Sequence, residues 1–121
     1  MRRSIAAAAA VLATLTFATA CGDEDTSSDS GSSEPKVIKV EFEGDTVTPN
    51  GDRVEVAKGQ DVKLDVTADE AGEIHVHSSP EQELEYPAGE STQTIKGIDQ
   101  PGTVDVESHS LDKVIVQLEV R

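Results

Sequence analysis

Two short stretches carry the residues best suited to chemistry. His75 and His77 are separated by one residue, and so are Glu107 and His109. In an extended chain successive side chains alternate faces, so each pair shares a face, its members about 6.6–6.8 Å apart along the strand. If the two stretches are neighbours, His75, His77, His109 and Glu107 form a set of three imidazoles and one carboxylate. Such donors suit Cu(II), Zn, Ni or non-haem Fe rather than Cu(I). The competing reading is that Ile74 and Val76 claim the core side, leaving both histidines on a solvated sheet face.

Other chemistry finds little footing. Ser78 and Ser79 follow His77, and Ser108 and Ser110 flank His109, but no G-x-S-x-G elbow accompanies them. No glycine-rich phosphate loop is present, and the chain is read as a binding protein rather than an enzyme. Glu81, Glu83 and Glu85 alternate and so face one way, but no calcium loop ending in a bidentate Glu surrounds them. Clustered like charges of this kind mark a solvated edge that discourages sheet-to-sheet aggregation.

Sulfur is almost missing. The 121 residues contain one Cys, at position 21, and one Met, at position 1. Met1-Arg2-Arg3 is a short basic start, and Ile5 to Phe17 is a 13-residue uncharged run. That run is shorter than the roughly 20 apolar residues a bilayer span needs, and it has the build of a secretory signal. Ala18-Thr19-Ala20-Cys21 resembles a bacterial lipobox, with Ala18 in place of the usual Leu. The expectation is a signal peptide over 1–20 and an acylated Cys21, whose two chains would hold the protein on the outer face of the cell membrane. Residues 22–35 follow, with five Ser, five acids and no apolar side chain before Pro35. Nothing in that tether offsets the entropy of ordering it, and 14 such residues reach about 20 Å.

Charge narrows the partners. Without Arg2 and Arg3, 8 basic residues face 24 acidic ones, a net charge of −16. That balance opposes nucleic acid, whose affinity rests on cations neutralising phosphates, and docking on anionic lipid by charge. An extracytoplasmic protein partner is compatible with it, and the domain is expected to be a monomer.

Residues 36–121 read as one small β domain. Apolar residues alternate with polar ones at Ile38-Val40-Phe42, Val54-Val56, Val62-Leu64-Val66, Ile74-Val76, Val104-Val106 and Val114-Val116-Leu118-Val120. Val and Ile number 13 and 5 here, and branching at Cβ favours strands. Turn clusters such as Pro49-Asn50-Gly51-Asp52 and Gln100-Pro101-Gly102 recur between them, the punctuation of a sandwich or barrel. Phe42 and Tyr86 are its only aromatic residues, so burial rests on aliphatic side chains and the core is light.

The order of three pieces resembles a cupredoxin: Val54-Glu55-Val56-Ala57-Lys58-Gly59-Gln60-Asp61-Val62-Lys63-Leu64, read as a hairpin; Ile74-His75-Val76-His77; and Pro101-Gly102-Thr103-Val104-Asp105-Val106-Glu107-Ser108-His109 before a final strand. The likeness is closest to cupredoxin-like domains of bacterial exported lipoproteins and periplasmic iron-uptake components. It implies an all-β Greek-key β-sandwich of about seven or eight strands over 36–121, with any metal site at one end. It also implies His75 as the first imidazole ligand and Ser108 at the place of the copper-ligating Cys. A blue-copper site needs thiolate, two imidazoles and usually a thioether, and the mature chain has neither a free thiolate nor a Met. Type 1 electron transfer is therefore excluded. The expected function is a tethered binding module, with copper, zinc or iron as the candidate divalent ion. The alternatives are a Cu(II), Zn or Fe carrier and, more remotely, a metalloenzyme.

Overall fold

A computed structural model describes residues 34–121. The expected signal peptide, Cys21 and the tether as far as residue 33 lie outside the described residues. The described part is all β, with no helix among the described residues. Nine strands form: β1 (Lys36–Glu43), β2 (Thr46–Thr48), β3 (Asp52–Val56), β4 (Val62–Ala68), β5 (Gly72–Val76), β6 (Gln82–Tyr86), β7 (Gly89–Ile95), β8 (Gly102–Ser108) and β9 (Lys113–Val120).

The strands divide into two mixed sheets, one of four strands in the order β2-β1-β4-β7 and one of five in the order β3-β9-β8-β5-β6. Period-two alternation turns one face of each sheet inward. In β4 the burial alternates without a break, from Val62 through Leu64 and Val66 to Ala68. A single sandwich-like core draws Val40, Leu64 and Val66 from one sheet and Ile74, Val106, Ile115 and Leu118 from the other. Each such side chain contributes about 1.5–3 kcal/mol when fully buried. The two aromatic rings join the sheets directly: Phe42 of β1 stacks on Tyr86 of β6 with centroids 4.8 Å apart.

Two expectations need correction. The strand count is nine rather than seven or eight. The stretch Val54–Leu64 is not a hairpin, because β3 pairs in parallel with β9 and β4 pairs in parallel with β1, in the other sheet. The turn at Lys58-Gly59 carries the chain across the edge of the sandwich. A short Gly turn between two alternating runs matches the local pattern of a hairpin, but that pattern does not specify which strand lies alongside.

Tyr86 depends on one glycine. Gly72 lies directly opposite it across β5 and β6, and a Cβ at residue 72 would run into the phenol, 2.7 Å from Cζ. Gly72→Ala is therefore expected to push the ring off Phe42 and to destabilise the domain by about 1–3 kcal/mol in urea unfolding, as overpacking does.

Burial pushes the Tyr86 phenol above its ordinary value near 10; the nearby Asp69 carboxylate adds to this, and a hydrogen bond with Ser110 opposes it. A group whose folded pKa is raised stabilises the fold fully below its unfolded pKa and loses that contribution as pH rises beyond it. Phenolate absorbance from this sole tyrosine should thus appear above pH 10, and stability to urea should fall over the same range. Tyr86→Phe should lose the pH-dependent step.

Candidate metal centre

The five-stranded sheet places β5 between β6 and β8. Ile74 and Val76 are fully buried, so Glu73, His75 and His77 project from the opposite, outer face. On β8, Glu107 lies directly across from His75 and Ser108 across from Ile74. Ser108 is fully buried, which sends Glu107 and His109 outward beside the β5 histidines. On the other flank Glu83 is opposite His75, and Glu85 is opposite Glu73. The outer face is thus a strip of imidazoles walled on both sides by carboxylates.

Contacts within the strip run diagonally. Nδ1 of His75 lies 3.3 Å from Nε2 of His109. Nε2 of His77 lies 2.9 Å from Oε2 of Glu107. Nε2 of His75 meets Oε2 of Glu81 at 3.1 Å, and Nδ1 of His77 lies 3.9 Å from the other oxygen of the same carboxylate. Beyond them, Nδ1 of His109 is 4.0 Å from Oε1 of Glu73. The ring of His75 sits 4.6 Å from that of His77 and 5.0 Å, edge-on, from that of His109, centroid to centroid. All six ring nitrogens therefore face a nitrogen or a carboxylate oxygen.

The sequence-derived set is drawn together in two pairs rather than around one point. His75 joins His109, and His77 joins Glu107. The carboxylate that links the two pairs is Glu81, which sequence reasoning assigned to a solvated edge. One donor atom each from His75, His77 and Glu81 lie within 4.8 Å of one another. Glu81 owes its position to the β5–β6 connection. There the Ser78 hydroxyl donates to the Pro80 carbonyl at 2.7 Å. The Gln82 amide donates to the Lys96 carbonyl at 3.1 Å and accepts from the Lys96 N–H at 2.8 Å. The alternation of Glu81, Glu83 and Glu85 with apolar Leu84 and Tyr86 was the available signal. What it lacked was the identity of the neighbouring strand.

The donor types suit a divalent transition ion. Bonds of about 2.0–2.1 Å place adjacent ligand atoms roughly 3 Å apart, close to the 3.1 Å separating His75 and Glu81. The remaining closure falls to Glu81, whose side chain is 61% exposed and free to move inward, whereas His75 is only 12% exposed. The opposed carboxylates of Glu73 and Glu85 repel one another, and a cation nearby relieves that repulsion. The position is the outer face of a sheet, whereas the cupredoxin resemblance implies one end of the sandwich.

No family model matches the chain, and no curated protein matches it. A separate hollow on the outer face of the four-stranded sheet, lined by Lys39, Glu41, Asp65, Thr67, Glu90 and Thr92, brings no imidazole into play.

Proposed function

We propose that this protein is a membrane-tethered, extracytoplasmic binding module that holds a divalent transition-metal ion on the outer face of a cupredoxin-like Greek-key β-sandwich. Three imidazoles gathered with carboxylates on one sheet face carry this reading, because histidines so placed supply borderline donors in number. The lipobox-like Ala18-Thr19-Ala20-Cys21 supports anchorage through an acylated Cys21. Lacking thiolate and thioether, the module does not transfer electrons by type 1 copper chemistry, and it binds rather than catalyses.

A carrier role at the membrane surface has one observation in its favour. His77 is 39% and Glu81 61% exposed, so an ion held between them stays within reach of an incoming donor. Competition titration of the purified protein tests the binding reading. One saturable site of micromolar affinity or better is expected for Cu(II) or Zn(II), unaffected by millimolar Mg2+ or Ca2+, which prefer all-oxygen shells. Failure of every divalent transition ion to bind at micromolar concentration overturns it.

A further inference from the structure

The geometry points to a two-layer site in which only three of these groups touch the ion. Nε2 of His75, Nδ1 of His77 and the carboxylate of Glu81 are the ligands. Glu107 and His109 stand behind the rings as positioning residues. This rests on the metal-binding reading above.

A carboxylate accepts hydrogen bonds, and a neutral imidazole donates from one nitrogen and accepts at the other. Glu107, 2.9 Å from Nε2 of His77, draws the ring proton to that nitrogen and leaves the lone pair on Nδ1. With an ion on Nε2 of His75, the His109 proton sits on Nδ1, which lies 4.0 Å from Glu73, near enough for attraction but beyond hydrogen-bond reach. Nε2 of His109 is then an acceptor, 3.3 Å from Nδ1 of His75. His75 satisfies it with its Nδ1 proton and keeps its lone pair on Nε2. That assignment serves both hydrogen-bonded contacts on the outer rim. Without an ion, a proton on Nε2 of His75 donates to Glu81 instead, and Nε2 of His109 donates to Nδ1 of His75. The ion-bound assignment leaves two nitrogen lone pairs, Nε2 of His75 and Nδ1 of His77, aimed at the two oxygens of Glu81, 3.1 and 3.9 Å away. A divalent cation satisfies these four atoms, displacing the proton that Nε2 of His75 shares with Glu81 in the ion-free protein.

Backing of this kind is the usual company of a metal-bound histidine, which gives its other N–H to a carboxylate or another acceptor. His77 has Glu107 directly. His75 gives its Nδ1 proton to His109, whose far nitrogen lies 4.0 Å from Glu73. His109 cannot readily serve as a ligand in the same arrangement, because its Nε2 faces the side of His75 opposite to Glu81. The fourth coordination position opens to solvent beside Glu81.

Pulsed electron paramagnetic resonance of the Cu(II)-loaded protein counts coordinated imidazoles, and two are expected. Zinc-loaded protein examined by long-range proton–nitrogen correlation should show protons on Nε2 of His77 and Nδ1 of His75. Glu81→Ala should weaken affinity at least tenfold and alter the Cu(II) spectrum. Glu107→Ala should weaken it about 10–100-fold with the imidazole count unchanged, and Glu107→Gln, whose amide oxygen still accepts, should recover most of that loss. His109→Ala should weaken binding about tenfold and likewise leave two imidazoles. A count of three in the wild type, a count that drops in His109→Ala, or full affinity in Glu81→Ala overturns this assignment while leaving metal binding intact. Absence of any Cu(II) or Zn(II) binding overturns both readings together.

Discussion

Replacing His75 and His77 together with Ala should abolish binding of Cu(II) and Zn(II) at micromolar protein, yet leave the fold in place. Each ring lost as a ligand costs about tenfold or more in affinity. His75 also holds the connection between His109 and Glu81, so its removal disperses the cluster. Stability should change little. Both side chains stand on the outer face, their backbone bonds belong to the ladder, and no core contact of Ile74 or Val76 depends on them. Substitutions away from core, caps and special backbone positions usually fall within about ±0.5 kcal/mol. Equilibrium urea unfolding of the metal-free double variant should therefore overlay the metal-free wild type, while competition titration shows no saturable site. A variant that retains micromolar affinity contradicts the proposed function. One that unfolds assigns the histidines to the structure instead.

Gly97→Ala should be the most damaging single-methyl addition in the domain. Residue 97 lies against the Lys58-Gly59 turn, and a Cβ there would fall 2.8 Å from the Cα of Gly59 and nearer still to its carbonyl. The obstacle is backbone, so no side chain can swing aside. Withdrawing the turn would break the Gly59 N–H bond to the Ile98 carbonyl at 3.0 Å and the Gly97 N–H bond to Oδ1 of Asp61 at 2.8 Å. Gly59 itself has a φ of +75°, a region that admits other residues only with strain. Overpacking together with two lost hydrogen bonds amounts to about 2–4 kcal/mol, a large share of the stability of a domain this size. Thermal unfolding should show it plainly, and Lys96→Ala, one residue away with its side chain exposed, should be near neutral.

Much of the architecture was legible because alternation is a local signal. Ile38-Val40-Phe42 and Val62-Leu64-Val66 each became a strand with the expected face inward, whereas in the run from Val114 only Val116, Leu118 and Val120 did, a bulge turning Ile115 inward in place of Val114. β7 was not legible: Gly-Glu-Ser-Thr-Gln-Thr-Ile offers one fully buried side chain, Ile95. It is held by its ladder to β4 and by a bond from the Thr92 hydroxyl to Asp65 at 3.1 Å. β2, three residues long, is too short for any periodicity to register. The apparent hairpin failed for a related reason, since a pattern of burial states which face points inward and says nothing about which strand lies alongside. The site divides in the same way. The shared face of His75 and His77, and that of Glu107 and His109, follow from spacing alone. The place of Glu81 follows from β6 lying beside β5 and from the Gln82–Lys96 bonds that pin the connection.

The two parallel pairings bear on when the histidine cluster comes together. Neither β1 with β4 nor β3 with β9 can zip up from a tight turn. Their first partners, Lys36 with Val62 and Asp52 with Val116, stand far apart along the chain. Loop closure of that span precedes any reward in contacts, which places such β topologies in the millisecond-to-second range of folding. His75 and His77 are neighbours from the moment of synthesis, whereas Glu107 and His109 join them only once β8 has docked. A folding chain thus holds the His75–His77 pair first and the full cluster with Glu107 and His109 only after the five-stranded sheet has closed.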